Sequence, residues 1–313
     1  VARVLAAVTR LAEAEGRRRV VAVELQSAPG PGRGSGAALA RSLTELAAVA
    51  PAGLPLVVEH CDAPRPWGVA EKGFLALDDE IAAVARAARD TGHPLHVGLN
   101  WGRSAIEGRS AATPVEHARA AAGAGLLASA MLSGAAGRPG RWGAPWADAH
   151  VPPHGPDPAL PGPDESMLGP AEVREFLAAA GPVPLVGAKV TTRPADAPPA
   201  QRLAVARATL AVLRDALAEA RPDALLVAEH GHDYGPDVPG DGWHGVMNYV
   251  GFTKPLWTWL CDPQDPPEFL GSPAVVPHLG GRAVADTMRE FTSHVSWQAL
   301  THSFNLLGSH DTT

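Results

Sequence analysis

The residues that could do chemistry stand at the ends of apolar runs. Glu24 follows VVAV, Glu59 and His60 follow LPLVV, Asn100 follows LHVGL, and Ser133 follows LLASAML; Lys189 follows VPLVGA, Glu229 follows LLVA, and His310 with Asp311 follows FNLLGS. Asp148 and His150 lie together in a loop. Two chemistries fit these types. Glu59, His60, Asp148 and His150 offer the oxygen and imidazole donors with which a divalent metal would polarise a sugar carbonyl during proton shuttling. Glu229 ends an apolar stretch, a partly desolvated position of the kind that raises a carboxyl pKa and suits a general acid.

Their neighbours extend the list. Trp101 presents an indole able to stack on a sugar face, Lys189 is a strand-end electrophile, and Arg103 with Glu107 is expected to pair and fix its loop. The run Glu229-His230-Gly231-His232-Asp233 has a metal-like look, but H-x-H on a loop lacks a third spaced ligand.

Such residues need a scaffold that brings strand ends together. Eight strands are expected, at 20–27, 54–62, 95–102, 126–134, 183–190, 224–230, 245–250 and 304–311, alternating with helices at 37–48, 77–91, 114–123, 170–180, 200–220 and 281–300. Strands alternating with helical segments predict a parallel α/β fold, and reactive groups at carboxyl strand ends predict a (β/α)8 barrel of the TIM type. No phosphate-binding glycine loop supports an open doubly wound sheet. The Gly- and Pro-rich stretch 134–170 is expected to be either a functional loop over the site or a floppy insertion.

Composition narrows the classes. With 26 basic and 33 acidic residues the net charge is −7, which argues against nucleic acid as a partner. No apolar run reaches the roughly 20 residues that would cross a bilayer. Two cysteines, Cys61 and Cys261, suit a reducing compartment, and the expectation is a cytoplasmic protein. Val1 falls within an amphipathic helical pattern (Val4, Leu5, Val8, Leu11) and Thr313 comes directly after a strand, so the chain is expected to be part of a longer one.

The segments LLVAEHGHDY, GDGWHGVMNYVGFTKPLWTWL and FTSHVSWQALTHSFNLLGSHDTT make residues 221–313 resemble the second half of a glycoside hydrolase family 13 barrel, of the alpha-amylase, alpha-glucosidase and neopullulanase type. The resemblance implies that Glu229 is the general acid/base, that Asp311 stabilises the transition state, and that His310, His230 and Asn248 contact sugar. The family's G-x-R-x-D nucleophile motif occurs nowhere in the chain, and its position falls in the helix 200–220, where Arg214 and Asp215 are adjacent rather than spaced. A retaining glycosidase needs that second carboxylate about 5 Å from the acid. By position, Asp62 and Glu59 are the nearest substitutes.

Residues 1–200 differ. VVAVELQSAP, VVEHCDAP, GLNWGRSAIEGR, MLSG, WADAHVP and GAKV resemble the last five strands of an actinobacterial family of unknown function whose barrel is xylose-isomerase-like. The two resemblances together imply one barrel-like unit over 1–313, composed of five βα units over 1–200 and three over 221–313, joined through the helix 200–220. The expected function is carbohydrate-active: nominally a glycoside hydrolase acting on alpha-glucosides without a cofactor, impaired by the missing nucleophile. The alternatives are a metal-assisted sugar isomerase or epimerase, or a non-catalytic composite. The expected partner is a small-molecule or oligosaccharide substrate.

Overall fold

The structure, a computed structural model, describes the chain apart from residues 16–19, 28–33, 67–74, 194–195, 221–224, 226, 232, 241–242, 262–267, 270–271, 274–275 and 307–313, with only the backbone at 2, 11–12, 14–15, 220, 229–230, 268–269 and 272–273. It divides into two compact units, Val1–Ala224 and Leu225–Thr313.

The first unit opens with α1 (Ala2–Glu15), whose Leu5 and Val8 are buried. Then β1 (Val23–Gln26), α2 (Gly36–Val49), β2 (Leu56–Glu59), α3 (Leu77–Thr91), β3 (Leu95–Asn100), α4 (Trp101–Gly108), α5 (Thr113–Gly123), β4 (Leu127–Leu132), α6 (Pro170–Ala180), β5 (Leu185–Ala188) and α7 (Pro199–Ala220) follow. The five strands pair in parallel in chain order, with Leu56 opposite both Val23 and Leu95 and Ser129 opposite both Gly98 and Leu185. Parallel strands covered by helices read as nearly continuous apolar runs, and here Leu56, Val57, Val58, Leu95, Val97 and Leu99 are all buried. Leu43 of α2, Val84 of α3, Ala118 of α5 and Phe176 of α6 are buried helix residues of the same unit.

Local chemistry sets the helix ends. Ser35 caps α2 by accepting the Ala38 N–H, Asp78, Asp79 and Glu80 occupy the positive first turn of α3, and Gly92 ends it at φ 68°. Pro114 and Pro170 begin α5 and α6, where a missing N–H costs nothing. The loop after β4 is ordered: Gly134 and Val151 bridge antiparallel, Trp142 and Val151 are buried against Val205 of α7, and Leu160 packs on Ala208 and Val212.

The second unit holds β6 (Val227–His230) parallel to β7 (Gly245–Asn248), a π-turn over Tyr249–Thr253, α8 (Lys254–Leu260), a two-residue pairing of β8 (Glu268–Phe269) with β9 (Ser272–Pro273), α9 (Gly281–Ser293) and α10 (Trp297–Thr301). Phe304 continues the parallel pattern through a bridge to Met247.

The α/β class and the βα repeat of barrel folds are therefore the observed ones, with seven of the eight expected strands present among the described residues. The eighth, expected at 304–311, is seen as the Phe304 bridge, and its remainder from 307 lies outside the described residues. The helix expected over 281–300 is two helices separated at His294–Ser296. Among the described residues no helix is long and apolar enough to cross a membrane.

Candidate functional site

The best-defined polar cluster lies in the first unit, where β2 and β3 end. Asn100 closes β3 and at once caps α4, its Oδ1 accepting the Arg103 N–H at 3.3 Å. The strand thus turns directly into a helix carrying Arg103 and Glu107 one turn apart on the same face. Gly102 is required by packing: a Cβ there would meet the Ser133 carbonyl oxygen at 2.6 Å, so the first turn of α4 lies against the residue that follows β4.

Arg103 faces the ends of three segments. Its Nη1 lies 2.6 Å from Glu59 Oε1 and 3.0 Å from Cys61 Sγ, while its Nε is 3.3 Å from Asp148 Oδ2. Asp148 Oδ1 in turn lies 3.2 Å from Nδ1 of His150, which is also 3.0 Å from Ser133 Oγ. His150 is held in the left-handed region at φ 49°, and its carbonyl accepts the Thr191 N–H. Exposure orders the cluster: the side chain of Arg103 is 3% exposed, against 15% for Glu59, 9% for Asp148 and 14% for His150. Solvent reaches the carboxylates and the imidazole, whereas the guanidinium lies beneath them. Burial alone would lower the Arg103 pKa, but the carboxylates of Glu59 and Asp148 and the Cys61 sulfur reverse this, so the cation is locked in place.

A second network centres on the fully buried side chains of His60, Glu80 and Glu107. His60 Nδ1 is 2.8 Å from Glu80 Oε2 and its Nε2 is 2.9 Å from Glu107 Oε2. Glu107 also accepts the Ala63 N–H at 3.0 Å and pairs with Arg65. His117 Nε2 is 3.8 Å from Glu107 Oε1, and its Nδ1 is 3.0 Å from Ser104 Oγ. Burial would lower the His60 pKa, yet hydrogen bonds to Glu107 and Glu80 outweigh it and raise it to about 9, so both ring nitrogens donate. Burial would raise Glu107, but His60 draws it down to about 2. Burial and the neighbouring His60 cation lower His117 to about 4, and burial pushes the Glu80 carboxyl up.

Of the residues singled out in the sequence, Glu59, Asp148 and His150 meet around Arg103, while His60 belongs to the buried network. Three expectations are corrected. Trp101 is completely buried and cannot stack on a sugar. Arg103 and Glu107 were expected to pair with each other; instead Arg103 serves Glu59 and Asp148, and Glu107 serves His60 and Arg65. Asn248 is buried and structural, its Oδ1 accepting the Gly251 N–H and its Nδ2 donating to Asn305, which leaves it no end for substrate. Glu229 and His230 occupy the carboxyl end of β6, opposite Met247 and Asn248, with side chains outside the described residues, as are His310 and Asp311 entirely.

The sequence did not point to Glu80, Arg65 or His117. Glu80 reads as one more acid in an N-terminal helix turn, and His117 as one polar residue in an Ala-rich helix. The available signal was Asn100, a capping residue that converts the following segment from loop to helix.

Residues 1–205 match a family described as Domain of unknown function (DUF4862). The uncharacterized protein STM3670 of Salmonella typhimurium (strain LT2) is 36% identical over 171 residues, 52% of this chain and 49% of that protein, so the chain spans about half the length of the curated relative it matches. Among solved structures, a cyclic alpha-maltosyl-(1→6)-maltose hydrolase from Arthrobacter globiformis aligns over 93% of this chain and 66% of its own at 15% identity and a TM-score of 0.43. A debranching enzyme from Nostoc punctiforme aligns over 90% and 57% at 13% identity and a TM-score of 0.41. The type III pullulan hydrolase from Thermococcus kodakarensis aligns over 93% and 48% at 15% identity and a TM-score of 0.41. With its first 205 residues matched, the chain belongs to the DUF4862 domain family.

Proposed function

We propose that the protein is carbohydrate-active and that its working site is the Arg103 rim of the first unit, where it moves a proton between adjacent carbons of a small sugar, as an aldose–ketose isomerase does. The observation that carries this reading is the placement of one buried guanidinium between two partly exposed carboxylates, one of which also orients an imidazole. Arg103 holds the Glu59 carboxylate at 2.6 Å with part of it open to solvent, which positions Glu59 to abstract the proton beside a carbonyl. Asp148 and Ser133 both meet Nδ1 of His150, which fixes the ring beside Glu59 and Arg103 as the imidazole that would serve the sugar oxygen whose charge develops. The same carboxylate returns the proton to the neighbouring carbon while His150 passes the hydroxyl proton of the deprotonated carbon to the former carbonyl oxygen, so no other reactant is consumed. A divalent metal held by Glu59, Asp148 and His150 would polarise the same oxygen; because Arg103 already neutralises both carboxylates, the reading does not require one.

The test is interconversion of aldoses and ketoses by the full chain, against Glu59→Gln. The expected loss is about 100-fold or more. Turnover unchanged by Glu59→Gln would exclude the assignment.

A second reading rests on Glu229, the penultimate residue of β6, a strand parallel to β7, which lies in the segment resembling alpha-glucosidases. Under it the chain is a composite of five and three βα units and hydrolyses alpha-glucosides, with Glu229 as acid and Asp311 as stabiliser. Hydrolysis of an aryl alpha-glucoside that disappears in Glu229→Gln supports it, and its absence in a folded chain excludes it.

A further inference from the structure

The buried network behind the rim takes no part in the proposed proton transfer, yet its geometry is specific. One ring nitrogen of His60, one carboxylate oxygen of Glu107 and one ring nitrogen of His117 all lie within 4.8 Å of one another. An ion with bonds of about 2 Å to each ligand brings its donors to roughly 3–3.5 Å apart. His60 Nε2 is 2.9 Å from Glu107 Oε2 and His117 Nε2 is 3.8 Å from Oε1, so the two imidazoles approach the two oxygens of one carboxylate, and a small turn of that carboxylate would bring both nitrogens into range of a shared ion.

The outer partners match as well. A metal-bound imidazole normally directs its other nitrogen to a carboxylate or a hydroxyl, which fixes the tautomer and the ring plane. His60 Nδ1 meets Glu80 Oε2 at 2.8 Å, and His117 Nδ1 meets Ser104 Oγ at 3.0 Å. The two rings stand edge to face, with centroids 5.2 Å apart. Glu107 is anchored by the Ala63 N–H on one oxygen, which sets the carboxylate independently of any ion.

We propose that His60, Glu107 and His117 form a zinc-class metal site distinct from the Arg103 rim, with Glu80 and Ser104 orienting the two imidazoles. Two nitrogens and one carboxylate oxygen are a borderline donor set that selects zinc, or cobalt in its place, over magnesium or calcium. Three protein ligands leave a fourth position for water, and Arg65 is the cation now paired with Glu107. Arg65 is 38% exposed, so its guanidinium can turn out to solvent. Charge is conserved in the exchange: the ion brings two positive charges, the His60 imidazolium gives up one proton, and Arg65 withdraws the other charge.

The test uses the full chain, stripped with a chelator and titrated with cobalt(II). One equivalent of cobalt with the ligand-field bands of a four- or five-coordinate ion is expected, displaced by zinc. Glu80→Gln should weaken binding about 10- to 100-fold, and His117→Gln should weaken it more. Glu59→Gln should leave it unchanged, which separates this site from the rim and from the proton-transfer reading. X-ray absorption of the zinc-loaded parent chain needs no variant and should show two imidazoles and a carboxylate. Absence of stoichiometric binding, undiminished affinity in a folded His117→Gln chain, or a shell without two imidazoles would each overturn the site.

Discussion

Nη1 of Arg103 lies 2.6 Å from Oε1 of Glu59, and this pair ties the first turn of α4 to the end of β2. Because the same guanidinium also meets Asp148, truncating it strands two poorly exposed carboxylates at once. Arg103→Ala should therefore destabilise the first unit by roughly 3 kcal/mol, most of it the cost of unpaired charge. Urea denaturation followed by tryptophan fluorescence measures it, and a loss below about 1 kcal/mol would show that the pair is a solvated surface contact.

Stability of the metal-free chain should fall as the pH rises above 6.5, while below 6.5 the lowered His117 and the raised Glu80 act against one another. His60 in the folded chain holds its proton to about 9 rather than the ordinary 6.5, so its contribution is full below 6.5 and lost as the pH rises through 9. His117 is held down to about 4, so between 6.5 and 4 the unfolded chain binds a proton that the folded chain refuses, and its own contribution falls with the pH. Glu107, at about 2 instead of 4.5, adds a further loss below 4.5. Thermal melts from pH 4 to 9.5 read this profile; a midpoint that still rises between pH 7 and 9 would contradict the imidazolium assignment.

Gly102→Ala tests how tightly α4 sits against the end of β4. The added Cβ would stand 2.6 Å from the Ser133 carbonyl oxygen, backbone that cannot swing aside. A loss of about 1–3 kcal/mol is expected from overpacking, with Gly123→Ala, which meets nothing within 4 Å, as the control on another helix of the same unit.

Much of the scaffold was legible in the sequence because parallel strands buried on both faces leave short apolar runs, as Leu56–Glu59 and Leu95–Asn100 do. The rim was half legible. Glu59, Asp148 and His150 stood out as strand-end or loop polar residues, but the cation joining them did not, since Arg103 was read as part of a loop pair with Glu107. One capping side chain, Asn100, decides the difference by starting a helix where a loop was expected. The buried network was not legible, because Glu80, Glu107 and His117 come from three helices whose convergence on His60 is tertiary and leaves no periodic trace. Trp101 misled for a related reason: an aromatic residue beside polar ones resembles a sugar platform, but the same cap turns its ring into the core.

The most direct measurement of the central claim is solvent exchange at carbon. The full chain is incubated with aldoses and ketoses in deuterium oxide, and the sugars are read by proton NMR. Proton transfer at the Arg103 rim predicts deuterium at the carbon beside the carbonyl, lost in Glu59→Gln and Asp148→Asn but kept in Glu229→Gln. Deuterium incorporation that ignores Glu59 and Asp148, or none at all from a folded chain that still cleaves an aryl alpha-glucoside, would contradict it.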